Sequence, residues 1–219
     1  IEEKKSVIDA VKSGWLSSAG KYVGLFENEI SKINKSKYSA TIINGTSALN
    51  ISLKLIGIKS LDEVIVPTVT FIAPVNAVLY HGAKPIFMDC DNYLNIDTSK
   101  VIKFLDKETF YKNGFSYNKK TKKRILAIIV VHVFGNLCDL SKIYDVCKKK
   151  NIKIIEDASE ALGSSFSDGR FKGKHAGTIG EFGCLSFNIN KIVTSGGGGA
   201  ILTQKKKDPS RLLPIVALS

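Results

Sequence analysis

The sequence is poor in arginine, which occurs only at Arg124, Arg170 and Arg211, so lysine carries nearly all of the formal net charge of +12. Base and phosphate recognition in nucleic acids favours the guanidinium fork of arginine. The lysines are scattered over predicted helix faces and loops, a pattern typical of solvated surfaces. The sequence therefore predicts no nucleic-acid partner, although a general affinity for anionic ligands stays open.

Cysteine is also scarce, and the four residues, Cys90, Cys138, Cys147 and Cys184, show no CxxC spacing. All lie in or beside apolar stretches, which predicts buried thiols in a reducing compartment rather than a disulfide framework or a metal site. No apolar run reaches the length of a membrane span, and no signal peptide is visible, although a trimmed start could hide one. We expect a cytoplasmic protein without a membrane partner.

The chain has 219 residues, enough for one sizeable α/β domain. It begins with Ile1 rather than Met, and its last residues, DPSRLLPIVALS, show no closing element. We interpret the sequence as part of a longer protein.

Seven short apolar or β-branched runs are predicted to be strands, and helical patterns separate the first five. This alternation predicts a three-layer α/β sandwich with a mainly parallel seven-stranded sheet covered on both faces. The last two runs have no helix between them, so they are predicted to be antiparallel or to occupy distant positions. Residues 107–123 read as a surface excursion, interpreted as a hairpin. The runs are residues 37–43, 63–66, 85–88, 124–133, 152–156, 184–187 and 199–203.

The first predicted strand leads into Gly45, Thr46 and Ser47 and then a helix. Backbone N–H groups at a helix start, the helix dipole and two hydroxyls together can bind phosphate. Alternatively, Thr46 or Ser47 could be a plain N-cap of this helix.

Two ring side chains follow predicted strands. Phe71 opens a helix just after a strand, where its ring could stack on a planar cofactor or simply fill the core. His132 lies near the end of the long run 124–133, where strands deliver side chains to an α/β crevice, and a structural role fits it as well as a catalytic one.

The stretch from residue 152 to 199 contains the two residues that are the main candidates for catalysis. Asp157 follows an apolar strand, and four residues separate Lys191 from a run of four glycines. An acid and a lysine so placed are what a pyridoxal 5'-phosphate (PLP) site needs, since the lysine forms a Schiff base and the acid keeps the pyridinium nitrogen protonated. Alone, the glycine run could be a flexible loop and Lys191 one surface lysine among many.

These motifs together resemble the DegT/StrS family of sugar aminotransferases, PLP enzymes of the aspartate-aminotransferase fold. The resemblance runs from about residue 14 to about residue 203. The excursion ETFYKNGFSYNKKTKKR is similar to that of the branch resembling legionaminic-acid-pathway aminotransferases, which act on UDP-linked 4-keto amino sugars. The matching stretches are GWLSSAGKYVGLFE, NGTSALNISL, DEVIVPTVTFIAPVNAV, PIFMD, VVHVFGN, IIEDASEALGS and SFNINKIVTSGGGGAIL.

The resemblance implies roles for the residues around the cofactor ring. Lys191 would hold PLP and move the proton between two carbons, and Asp157 would pair with the pyridine nitrogen. Phe71 would stack on the ring. Glu160 would lie near the ring hydroxyl, although many members carry Gln at this position.

The resemblance also implies a phosphate site, a sugar site and an activity. The implied phosphate ligands are Gly45, Thr46, Ser47 and Ser186, and the residues implied near the sugar are Trp15, Ser17 and Ser18. The implied reaction converts a 4-keto nucleotide sugar to the 4-amino sugar, with glutamate as donor, for surface-glycan precursors. Lys191 argues for amino transfer, because a dehydratase offshoot of the family has a histidine there. No metal is implied.

The resemblance implies a homodimer for the full-length parent and a small C-terminal domain that this sequence lacks. We therefore expect a helical segment at residues 1–36, a PLP-binding large domain at 37–204 and an atypical tail at 205–219. The alternative is that the chain is a truncated, inactive fragment of such an enzyme.

Overall fold

The computed structural model describes residues 2–16 and 20–205. Within that part the chain forms six α-helices and nine strands. The helices are α1 (Glu2–Ser13), α2 (Lys21–Asn34), α3 (Gly45–Leu55), α4 (Ile72–Leu79), α5 (Thr98–Lys107) and α6 (Leu140–Lys149). The strands are β1 (Tyr38–Ile42), β2 (Glu63–Pro67), β3 (Lys84–Met88), β4 (Thr109–Lys112), β5 (Phe115–Asn118), β6 (Arg124–Val131), β7 (Lys153–Asp157), β8 (Phe182–Ser186) and β9 (Gly199–Thr203).

Seven of the strands form one continuous path in the order β1-β9-β8-β7-β6-β2-β3. Neighbours from β8 through to β3 pair in parallel, whereas β9 pairs antiparallel with both β1 and β8. The mainly parallel α/β sheet predicted from the sequence is thus confirmed. Of the two alternatives for its last two strands, the structure shows antiparallel pairing.

The lysine-rich excursion forms the predicted hairpin, but it also joins the sheet. β4 pairs with β5, and β5 pairs antiparallel with the first residues of β6, so the sheet has nine strands rather than seven. Asn113 and Gly114 make the turn with positive φ angles, and Phe110 stacks on Tyr117 across the ladder. Such cross-strand aromatic pairs stabilise short hairpins.

Helices cover both faces of the sheet because successive side chains of a strand point to opposite faces. Ile129 packs with α3 and α4, whereas its neighbour Ile128 packs with α5 and α6. Since all of β6 after Arg124 is buried, its continuous β-branched sequence is explained by burial on both sides. The three-layer sandwich is therefore confirmed.

The strand ends differ slightly from those predicted, and one difference matters for function. β7 extends to Asp157, so this residue is the last of the strand and not the first after it. β6 ends at Val131 and is followed by a short 3-10 turn at Val133–Gly135. The carboxyl ends of β2, β6, β7 and β8 lie along one edge of the sheet, the usual place for ligands in open α/β folds.

The N-terminal helices contribute little to this core, and α1 buries none of its residues. The division at residues 36 and 204 stays a prediction. Of the predicted tail, only Lys205 lies within the described residues. No helix in the described part of the chain is long and apolar enough to cross a membrane.

Candidate active site

A cleft of about 310 Å³ opens at the carboxyl edge of the sheet. It brings together six of the residues predicted from the sequence, which come from five separate segments of the chain. Asn44, Ala73, Ser159, Asn188 and Asn190 also contribute to it. The six predicted residues are Gly45, Thr46, Phe71, Asp157, Ser186 and Lys191.

The start of α3 forms one corner of the cleft. The N-cap is Asn44, whose side chain accepts the Ser47 N–H at 2.7 Å. The alternative that Thr46 or Ser47 caps the helix is therefore wrong, because both lie inside its first turn. The first amides of a helix have no partner within it, so those of Gly45 and Thr46 are available for an anion, assisted by the dipole. Ser47 was predicted to bind the phosphate, but it is not among the residues that line the cleft, and its amide is used by the cap.

Gly45 allows two hydroxyl side chains to approach this corner. A Cβ at position 45 would lie 2.9 Å from Ser186 Cβ and 3.1 Å from Ser159 Oγ, closer than normal packing allows. The hydroxyls of Ser159 and Ser186 therefore flank the helix start because residue 45 has no side chain. Ser159 was missed from the sequence, where only its position two residues after Asp157 could have indicated it.

Replacing Gly45 by alanine is expected to displace Ser186 and Ser159 and to weaken phosphate binding at this corner. Overpacking of this kind costs about 1–3 kcal/mol of stability. The matched control is Gly24→Ala in α2, where an added Cβ meets nothing within 4 Å, so that variant should gain about 0.5–1 kcal/mol. Urea unfolding and PLP titration of both variants check this, and equal effects would contradict it.

The glycine run joins the lysine loop to the phosphate corner. Gly198 has a φ of +105° and forms a bridge with Asn44. A Cβ on Gly199 would lie 2.6 Å from the carbonyl carbon of Asn44. The close approach that Gly199 permits is therefore to the backbone that caps α3.

Lys191 is not an ordinary surface lysine. Its side chain is only 13% exposed, and its Nζ lies 3.1 Å from Glu160 Oε1. The other carboxylate oxygen of Glu160 accepts the Phe134 N–H at 3.1 Å. Glu160 lies in a turn, and it holds the Lys191 side chain at the wall of the cleft.

Asp157 lines the cleft and is only 5% exposed. Burial raises the pKa of its carboxyl, and this effect is opposed by hydrogen bonds from the Ser159 side chain and amide and by the charge of Lys191. A buried carboxylate is ionised more readily when a cation is brought against it, so this residue suits a positively charged ring nitrogen.

Phe71 is the N-cap residue of α4 and is 71% exposed at the cleft. This exposure excludes the alternative that it is a core phenylalanine. An exposed aromatic ring beside a polar cleft is available to stack on a planar ligand.

His132 is fully buried and both of its ring nitrogens have partners. Nδ1 accepts the Cys138 N–H at 3.1 Å, which leaves Nε2 to donate to Glu156 at 3.0 Å. Since His132 does not line the cleft, the structural alternative for this residue is favoured over the catalytic one.

Of the three residues predicted near the sugar, only Trp15 belongs to the part of the chain that the structure describes. Trp15 is exposed and is not among the lining residues, and Ser17 and Ser18 lie outside the described residues. A larger cavity of about 520 Å³ lies at the opposite edge of the sheet, near Lys153 and Gln204, and holds none of the predicted site residues.

Four features of the cleft each fit a different chemical group of PLP. The helix start with its two serines suits a phosphate, and the exposed ring of Phe71 suits a planar heterocycle. The buried carboxylate suits the ring nitrogen, and the shielded amine suits an aldehyde. All four lie on one cleft that is large enough for a small cofactor.

The sheet order and the cleft together define the large domain of an aspartate-aminotransferase-type fold. The Brucella abortus DegT DnrJ EryC1 StrS aminotransferase has a similar structure, with a TM-score of 0.83 and 26% identity over 93% of this chain and 51% of that one. The Escherichia coli GDP-4-keto-6-deoxy-D-mannose-3-dehydratase with bound hydrated PLP gives a TM-score of 0.78 and 25% identity, over 93% of this chain and 49% of that one.

Residues 1–212 match the DegT/DnrJ/EryC1/StrS aminotransferase family, and the chain belongs to that family. The GDP-perosamine synthase of Escherichia coli O157:H7 is 40% identical over 205 residues, which cover 94% of this chain and 51% of that protein. The chain thus spans about half the length of the curated relatives it matches.

Proposed function

We propose that the chain is the cofactor-binding part of a PLP-dependent aminotransferase that acts on nucleotide sugars. The observation that carries the proposal is that Lys191, Asp157 and the phosphate corner at Gly45 line the same cleft. PLP, when bound to a lysine, supplies an electron sink that lets an amino group move between two carbon skeletons.

Each of the predicted site residues would have its own role in binding the cofactor or moving the proton. The start of α3 with Ser186 would bind the phosphate, and Asp157 would hold the proton at the ring nitrogen. Phe71 would cover one face of the ring. Lys191 would give its amine to the cofactor and then move the proton, while Glu160 would hold the lysine and contact the ring hydroxyl.

For the substrate we propose a 4-keto nucleotide sugar, converted to its 4-amino form with glutamate as donor, in the supply of surface-glycan precursors. The GDP-perosamine synthases among the relatives support the sugar class. The resemblance of the hairpin to the legionaminic-acid branch favours a UDP-linked sugar instead. Assays of the full-length parent with GDP-linked and UDP-linked 4-keto sugars would separate the two, by which of them yields an amino sugar.

We also propose that the full-length protein is a homodimer in which a second subunit covers the mouth of the cleft. Among the described residues near the cleft, large apolar side chains are highly exposed, including Phe71, Phe134, Ile189 and Ile192. Exposed apolar clusters of this kind mark contact surfaces. In such an assembly Trp15, Ser17 and Ser18 would approach the sugar.

The second candidate function is a fragment that binds PLP without catalysing amino transfer, and the half-length of the chain favours it. Adding PLP and glutamate to the 219-residue chain separates the two. An active chain would release 2-oxoglutarate in an amount equal to the bound PLP, with a matching change in the visible spectrum. A chain that gains visible absorbance but releases no 2-oxoglutarate is the inactive fragment, and one that gains none fails the proposal.

A further inference from the structure

Strand β7 ends in two successive carboxylates that point to opposite faces of the sheet. Asp157 faces the cleft, whereas Glu156 points to the side of α5 and α6 and is fully buried. No motif in the sequence indicated Glu156. A buried carboxylate without partners would be strongly destabilising, so its surroundings define what it does.

Glu156 accepts four hydrogen bonds, and three come from backbone amides of one loop. Oε1 accepts the N–H groups of Ile179 and Gly180 at 2.7 and 2.6 Å, and Oε2 accepts that of Gly177 at 2.9 Å. The fourth donor is Nε2 of His132 at 3.0 Å. A carboxylate that accepts this many hydrogen bonds fixes the position of every group that contacts it.

The loop that Glu156 holds leads directly into β8. This loop is tightly packed against its neighbours. A Cβ added at Gly183 would lie 2.1 Å from the carbonyl oxygen of Gly177, and a Cβ added at Gly180 would lie 2.5 Å from the carbonyl oxygen of Ile154. β8 then delivers Ser186 to the cleft, and Lys191 follows five residues later. The position of the loop therefore sets where the lysine side of the cleft lies relative to β7.

His132 extends the same contact network to the acid side of the cleft. Its backbone N–H donates to the Asp157 carbonyl oxygen at 3.1 Å, while its ring donates to Glu156. The Cys138 N–H, which donates to Nδ1, fixes the ring orientation. Glu156 and His132 thus connect the backbone that carries Asp157 with the loop that precedes Ser186 and Lys191.

We propose that Glu156, supported by His132, is a positioning residue that sets the spacing between Asp157 and Lys191 from behind the sheet. The proposal rests on the proposed PLP site, and it adds a residue that touches neither cofactor nor substrate. Its physical basis is that a displacement of about 1 Å within a site can lower the catalytic rate by about a hundredfold, even when the substituted residue lies far from the reacting atoms.

The test compares Glu156→Gln with Glu63→Gln in the 219-residue chain. In Glu156→Gln the amide nitrogen, itself a donor, must face some of the four donors, so the loop shifts. Glu63 is the matched control, because it is also buried and accepts from Asn118 Nδ2 at 2.9 Å, but it lies at the opposite end of the sheet, at the start of β2. Both variants should melt at lower temperature than the wild type.

Only Glu156→Gln should bind PLP more weakly, by about tenfold to a hundredfold, when both are titrated well below their melting temperatures. Equal PLP affinity in Glu156→Gln and the wild type, or equal weakening in both variants, would overturn the proposal while leaving the PLP site intact. A wild-type chain that takes up no PLP would instead overturn the proposed function, and this proposal with it.

A second measurement uses only the wild-type chain, so it tests the proposal even if Glu156→Gln does not fold. In hydrogen exchange of the wild-type chain, the amides of Gly177, Ile179 and Gly180 should be protected as well as those of the central strands. Exchange at the rate of exposed loops would show that Glu156 does not hold them, and would overturn the proposal.

Discussion

Replacing Lys191 by alanine is expected to abolish the visible absorbance that PLP gains on joining a lysine. Among the described residues that line the cleft, Lys191 is the only one with a side-chain amine, so no neighbour can take its place. Lys191→Arg should give the same loss although it keeps the charge next to Glu160, because a guanidinium does not form the Schiff base. The measurement is an absorbance titration of each variant with PLP.

Lys150 provides the matched control for these two variants. Its side chain is nearly as shielded as that of Lys191 and its Nζ contacts Thr109 Oγ1 at 3.3 Å, but it lies outside the cleft. Lys150→Ala should therefore keep the wild-type absorbance. Persistence of the absorbance in Lys191→Ala, or its loss in Lys150→Ala, would show that the lysine has been wrongly assigned.

Replacing Asp157 by asparagine is expected to change PLP affinity and protein stability in opposite directions. Asparagine keeps the oxygen that accepts from Ser159 but cannot carry the charge that pairs with a protonated ring nitrogen. A hydrogen bond to a charged group contributes about 1.5–3 kcal/mol, so PLP affinity should fall by about tenfold to a hundredfold. Fluorescence or absorbance titration with PLP measures this directly.

Without cofactor the same substitution should stabilise the chain at neutral pH. Burial raises the pKa of the Asp157 carboxyl above its ordinary value of 3.8. A group whose pKa is raised by folding contributes stability that is present below the unfolded pKa and is lost as the pH rises through the folded pKa. Asparagine undergoes no such loss, so the variant should melt at a higher temperature than the wild type at pH 7.

The advantage of Asp157→Asn should shrink as the pH falls and disappear below the ordinary pKa of 3.8, where the wild-type carboxyl is protonated in both the folded and the unfolded chain. Melting curves of the cofactor-free proteins between about pH 3 and pH 8 check this. A variant that is less stable than the wild type at pH 7 would mean that the ionised carboxylate is favoured in the cofactor-free fold, contrary to the role of burial given above.

The parts of the fold that follow from periodic patterns could be predicted from the sequence. The run ILAIIVV at β6 predicted a strand buried on both faces, and the spacing of the other runs predicted a parallel sheet. What could not be predicted was that β5 pairs with β6. That pairing depends on a contact between strand ends, and no local pattern in ETFYKNGFSYNKKTKKR encodes it.

The cleft could be predicted in part because its main residues follow strands in chain order. Ser159 could not, since it approaches the phosphate corner only because Gly45, more than a hundred residues earlier, lacks a side chain. Glu156 is adjacent to Asp157 in sequence, yet its role depends on the loop at residues 177–180, which has no pattern of its own. The roles of Ser159 and Glu156 therefore depend on tertiary contacts, which the local sequence does not show.

The most direct test of the central claim is to locate the lysine that reacts with PLP. The chain is incubated with one equivalent of PLP, reduced with borohydride, digested and analysed by mass spectrometry. The account predicts that the adduct lies on the peptide containing Lys191 and is absent from it in Lys191→Arg. An adduct spread over exposed lysines, with none enriched at residue 191, would contradict it.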